Sequence, residues 1–175
     1  MRIANLVSDS IVDGPGLRLA VFTQGCPHRC PGCHNPETHD SQGGQEMSVA
    51  ELVGKWGENP LLQGLTLTGG EPFAQAADCA LLAEAAHRRG WTVWTYTGYR
   101  FEDVLNSEDA GWQALLDATD VLVDGPFVLA EKTYGLPFRG SRNQRVIRVP
   151  ESLARGEVVL WSPVDNLAHF TVPDS

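Results

Sequence analysis

Three cysteines fall within eight residues, Cys26-Pro27-His28-Arg29-Cys30-Pro31-Gly32-Cys33, in a C-x3-C-x2-C spacing. Thiolates that close along a chain can converge on one metal centre, and the two prolines and Gly32 suit a tightly folded loop. Sulfur donors select zinc, Cu(I) or iron–sulfur clusters. Most iron–sulfur clusters take four cysteines, but the fourth here, Cys79, lies far along the chain. Cys79 shares an apolar stripe with Leu82, Ala83 and Ala86, the i, i+3, i+4, i+7 spacing of one helix face. A free cysteine in such a stripe behaves as a small hydrophobe, so Cys79 is expected in the core. A four-iron cluster on the other three would keep one iron without a protein ligand, the open position that metal catalysis requires. Zinc held by the three cysteines with His28, His34 or His39 is the competing ligand set. Outside that role His28 and His34 read as polar loop residues, and His39 and His87 as surface ones.

A second motif, Thr68-Gly69-Gly70-Glu71-Pro72, closes an apolar run. Paired glycines let backbone approach a ligand without Cβ obstruction. Exposed carbonyls and the Glu71 carboxylate could accept hydrogen bonds from an ammonium group. Pro72 suits the first turn of a following helix. Alone, Gly-Gly-Glu marks little more than a turn; beside the cysteine loop it is far more specific.

Together the two motifs resemble the radical S-adenosylmethionine enzymes. The resemblance implies a [4Fe-4S] cluster on Cys26, Cys30 and Cys33, with the methionyl amine and carboxylate of S-adenosylmethionine chelating the open iron. It implies that Gly69, Gly70 and Glu71 hold the amine and that backbone around Gly32, Cys33 and His34 contacts the cofactor. Further blocks, DGPG (13–16), CHN (33–35), WTYTGY (94–99), VLVDGPF (121–127) and FRGSRNQ (138–144), are similar to the glycyl-radical activating members of that family. The last two blocks resemble activators of anaerobic ribonucleotide reductase in particular, with activators of pyruvate formate-lyase as the alternative. The implied chemistry is one-electron cleavage of S-adenosylmethionine to methionine and a 5′-deoxyadenosyl radical, which removes a Cα hydrogen from a glycine of the partner protein. A low-potential donor such as flavodoxin or ferredoxin would supply the electron. The stretch after Val149 receives no role.

The elements that must position these residues alternate in type. Apolar or β-branched runs at 17–22, 65–68, 91–97, 121–123 and 146–149 predict strands. The Ala- and Leu-rich segment 74–89 predicts a helix stopped by Gly90, and 101–118 a helix broken near Asn106. Ser48 and Glu51 form a capping box, and SQGGQ at 41–45 is a loop. Strands alternating with helices imply parallel β/α units with ligands at the carboxyl ends of the strands. The units are too few for an eight-stranded barrel. The expected fold is therefore α/β, a partial, open (β/α) barrel of five or six parallel strands of the radical S-adenosylmethionine type, in a single domain over 1–175.

Composition narrows the partners. A formal net charge of −9 repels phosphates, which argues against nucleic acid. No apolar run approaches the ~20 residues of a membrane-spanning helix, and the N-terminus has no secretory apolar block. A cytoplasmic location is the expectation, where clustered cysteines read as ligands before disulfides. Residues 139–155 gather five arginines, Arg139, Arg142, Arg145, Arg148 and Arg155, against the single acid Glu151. They are either a solvated basic face or a docking patch for an acidic partner. So short a chain leaves little to enclose a small substrate, which favours a large protein substrate.

Overall fold

The central strands are nearly continuous buried runs, as strands covered on both faces must be. The computed structural model describes residues 1–57 and 59–163. Within them seven strands share one sheet: β1 (Arg2–Ser10), β2 (Leu17–Thr23), β3 (Gln45–Glu46), β4 (Leu62–Gly69), β5 (Thr92–Tyr96), β6 (Val121–Asp124) and β7 (Arg145–Arg148). The spatial order is β3-β1-β2-β4-β5-β6-β7. β2, β4, β5 and β6 run parallel, while β1, β3 and β7 add antiparallel edges.

The helices are α1 (Val49–Gly54), α2 (Ala76–Arg88), α3 (Phe101–Leu105), α4 (Ala110–Asp117) and α5 (Val149–Arg155). Alternation along the strands divides the core between the two faces of the sheet. Leu19, Val21, Leu65, Leu67, Val93, Leu122 and Ile147 pack with Leu82, Ala83, Leu115 and Leu116 of α2 and α4. Their neighbours Trp94, Val121, Val123 and Val146 form a second cluster with Tyr96, Phe138 and Trp161. The Ser48–Glu51 capping box opens α1, and the break near Asn106 separates α3 from α4. None of the described helices is long and apolar enough to cross a membrane.

Two features of the sheet depart from the sequence reading. The parallel set holds four strands, not five or six, because β7 returns antiparallel. The connection from β6 to β7 contains no α-helix, and a parallel return needs a crossover that an antiparallel one does not. The N-terminal strand β1 is the other departure. Its burial alternates poorly, with only Ile3 and Ser10 fully buried, so its sequence lacks the apolar run that marks the central strands. Of the stretch left without a role after Val149, α5 packs against the sheet and Trp161 sits edge-on to Trp94. Residues 164–175 lie outside the described residues.

Arg18 on β2 is fully buried. Its Nε donates to Thr66 Oγ1 at 2.8 Å, and its two terminal nitrogens donate to Leu65 O, Pro15 O, and the carbonyl and hydroxyl of Thr92. Every guanidinium N–H thus has an acceptor. Burial lowers the Arg18 pKa to about 10, which leaves it charged at neutral pH. Thr66 Oγ1 in turn donates to Asp13 O at 2.8 Å, so the β1–β2 loop is tied to the middle of the sheet.

Cys79 sits on α2 with no exposed surface, and burial pushes its thiol well above the usual range. Cys79→Ala should lower unfolding free energy by about 1 kcal/mol, the cost of deleting one buried heavy atom. Urea denaturation would measure this, and iron uptake should match wild type. Lost iron uptake would instead make Cys79 a ligand.

Candidate functional site

The four parallel strands end side by side, and the loops that follow them surround a cavity of about 390 Å³, within the range of small-molecule sites. Cys26, Cys30 and Cys33 line it from the loop after β2. Thr68, Gly69 and Gly70 line it from the end of β4, and Tyr96, Thr97 and Gly98 from the end of β5. Val12 and Asp13 of the β1–β2 loop, with Phe127, Gly140 and Gln144 of the β6–β7 connection, complete the wall. Of the residues singled out in the sequence, Cys26, His28, Cys30, Cys33, His34, Gly69, Gly70 and Glu71 meet here. Gly32 does not line the cavity; it is exposed, and a Cβ there would lie 2.8 Å from Leu129 Cδ1.

Backbone hydrogen bonds fasten the cysteine loop to the strand ends. Gly70 N donates to Thr23 O at 2.8 Å and Glu71 N to Gly25 O at 2.9 Å. A Cβ on Gly70 would lie 2.5 Å from Gly25 O. Gly70 therefore allows a close approach to the cysteine loop itself, in addition to any approach to a ligand. On the other side of the loop, Gly25 N donates to Thr38 O and Cys26 N to His39 O.

The Glu71 carboxylate is fully buried and accepts from three directions. Oε1 takes Phe73 N at 3.0 Å and Thr97 Oγ1 at 2.9 Å. Oε2 takes Gly98 N at 2.9 Å and is hydrogen-bonded to His28 Nε2 at 2.9 Å. Four partners match the acceptor capacity of a carboxylate. Glu71 thus joins the cysteine loop, the end of β4 and the end of β5, and its oxygens are occupied by protein groups. The sequence reading had it free to accept from an ammonium. His28, read there as a zinc ligand or a polar loop residue, packs edge-on to Tyr99 at 4.4 Å. A Cβ on Gly98 would lie 2.4 Å from the His28 ring. The T-G of WTYTGY, a second glycine-bearing strand end, could have flagged Thr97 and Gly98; the sequence offered His28 a role only as a zinc ligand, and nothing in it points to Glu71 as its partner.

The donor set suits an iron–sulfur cluster. All three thiols are half-buried on one cavity. Asn35 N donates to Cys33 Sγ at 3.4 Å. Burial pushes the Cys26 thiol up, while hydrogen bonds from the backbone of His28 and Arg29 favour its thiolate. Hydrogen bonds to sulfur tune such clusters. Among the described residues no group of three or more His, Cys, Asp or Glu is spaced to hold a single metal ion. A four-iron cluster would offer each of the three thiolates its own iron.

Comparison with known proteins agrees with this donor set. Residues 12–147 match the family model for a 4Fe-4S single cluster domain. The chain is 33% identical over 154 residues to the anaerobic ribonucleoside-triphosphate reductase-activating protein of Salmonella typhimurium, covering 83% of this chain and 97% of that one. It is 35% identical over 144 residues to the protein of the same name from Escherichia coli, covering 78% and 91%. A pyruvate formate-lyase-activating enzyme from Clostridium pasteurianum is 35% identical over 133 residues, 71% of this chain but 55% of the enzyme.

The arginines of 139–155, one basic face or docking patch in the sequence reading, are engaged separately in the structure, where Arg139 Nη1 donates to Gln144 O at 2.9 Å. Arg145 meets two acids. It makes a two-pronged bond to Glu102 at 2.8 and 3.0 Å and a second to the buried Asp124. Asp124 is fully buried on β6 and needs a cation, and the antiparallel β6–β7 register sets Arg145 opposite it. Arg148 pairs with Glu151 one helical turn away. Arg145 and Arg148 are thus engaged locally, and Arg142 and Arg155 are exposed. The Arg145 hydrogen bonds hold the Glu102 carboxyl down at about 2, from 4.5. A depressed carboxyl stabilises the fold above its unfolded value and loses that contribution as pH falls through its folded value. Wild type should therefore melt above Glu102→Gln near neutral pH, with the gap closing between about 4.5 and about 2. Melting curves across that range check it; a gap that persists at the acid end would exclude the ion pair as its source.

Proposed function

The chain belongs to the family of anaerobic ribonucleoside-triphosphate reductase-activating proteins, and from that premise we propose that it makes the glycyl radical of its cognate reductase. Cys26, Cys30 and Cys33 would hold a [4Fe-4S] cluster with one iron open to S-adenosylmethionine. A cluster held there would supply one-electron reductive cleavage of S-adenosylmethionine, the chemistry needed to generate a radical on the reductase glycine. The observation that carries this reading is the meeting of the three thiols and the Gly69-Gly70 strand end on one cavity.

The residues of the chain bind, orient and exclude. With the Glu71 oxygens occupied, the carbonyls at Gly69 and Gly70 would accept from the methionyl ammonium, and Glu71 positions them. Backbone at Cys33 and His34 borders the remainder of the cofactor. His34 packs tilted against Phe127, with ring centroids 4.9 Å apart, which closes that side. A sheet of four parallel strands leaves the cavity open, as a partial (β/α) barrel would, so a protein substrate must cover it to exclude water. The low-potential donor is a protein of the flavodoxin or ferredoxin kind. Activation of pyruvate formate-lyase is the weaker alternative, because the chain covers only 55% of such an activator.

Anaerobic reconstitution with iron and sulfide should give four irons per chain, a cluster signal that S-adenosylmethionine alters in the EPR spectrum, and a glycyl radical on the cognate reductase. Cys26→Ala, Cys30→Ala and Cys33→Ala should each lose the cluster. A colourless, zinc-loaded protein indifferent to S-adenosylmethionine would overturn the reading.

A further inference from the structure

The cysteine loop has a second side. Cys26 lines the reaction cavity and also a separate cavity of about 510 Å³, walled by Arg2, Gln24, Arg29, His39 and Gln75. Among the described residues no carboxylate lines this second cavity, although the chain as a whole carries a net charge of −9. Arg2 directs its guanidinium to the carbonyls of Gln42 and Gly43 at 3.1 and 2.9 Å and forms no close ion pair among the described residues, although Glu46 lies opposite it across β1 and β3. Arg29 is exposed and forms no ion pair among the described residues. It also sits at φ +46°, in the left-handed region where Asn or Gly would rest with less strain. A strained arginine one residue from Cys30, its charge unpaired, points to a use for the side chain outside the fold.

We infer that this surface receives an acidic one-electron carrier protein, which delivers the reducing electron through the Cys26 side of the loop. The inference rests on the cluster reading above. If the reductase covers the open cavity, a donor needs another approach, and this is the face that shares a cysteine with the site. The step balances simply: the reduced carrier loses one electron, the cluster-bearing chain gains it, and no bond is made or broken. Opposite charges raise the association rate and are screened by salt.

The test uses the full, reconstituted chain and an acidic flavodoxin, with affinity measured by calorimetry at low and high salt. Arg2→Gln with Arg29→Asn should weaken flavodoxin binding about tenfold at low salt, with the gap closing at high salt. Arg29→Asn alone should fold at least as stably as wild type, since it relieves strain. Iron content and dithionite-driven cleavage of S-adenosylmethionine should be unchanged in the double variant. Unchanged flavodoxin affinity overturns the inference, as does a loss of affinity for the reductase in place of the flavodoxin. Wild type that takes up no cluster fails the functional reading instead, while the binding arm still decides whether the surface takes an acidic protein.

Discussion

One buried carboxylate holds the candidate site together. Glu71 is fully enclosed, and its oxygens join the first turn after β4, the end of β5 and the loop that carries the three cysteines. Hydrogen bonds to an ionised group contribute about 1.5–3 kcal/mol each, and leaving such a group unsatisfied in the interior costs more than it gains. The three segments are therefore coupled: none can shift without stranding a donor or an acceptor. A cysteine loop rich in proline and glycine has little secondary structure of its own, and this coupling gives it a defined place.

The sheet makes the coupling possible. Parallel strands deliver their carboxyl ends to one side, so β2, β4 and β5 bring the cysteine loop, Gly69-Gly70 and Thr97-Gly98 together without further machinery. Glycine then decides how closely those ends approach. At Gly70 a side chain would strike Gly25 O, and at Gly98 it would strike His28. Below the site, Arg18 spans β2, β4 and β5 and ties Asp13 through Thr66. The loop carrying DGPG is thus held to the same strands as the glycine motifs.

Chemistry was more legible in the sequence than geometry. The cysteine spacing and the Gly-Gly-Glu motif located the cavity, because each is a dense local pattern of unusual residue types. The helical stripe explained Cys79, and alternation of strand and helix gave the parallel core. The edges of the sheet were not legible, since β1 has an irregular burial pattern and the reversal at β7 depends on a helix-free connection. Nor were the long-range polar pairings, His28 with Glu71 and Arg145 with Asp124, which join residues 43 and 21 positions apart. A charge run such as 139–155 says how many arginines there are, and only the tertiary fold says which acids they meet.

The central claim is that His28, through Glu71, keeps the cysteine loop and the glycine cradle in register. The most direct test is calorimetric affinity of the reconstituted protein for S-adenosylmethionine in His28→Leu and His28→Gln, with iron counted in each. His28→Leu removes a partner of a buried carboxylate and should weaken cofactor binding by about tenfold, or ~1.4 kcal/mol, with iron loading near wild type. His28→Gln can restore the donor and should recover most of that affinity. Wild-type affinity in His28→Leu would contradict the account.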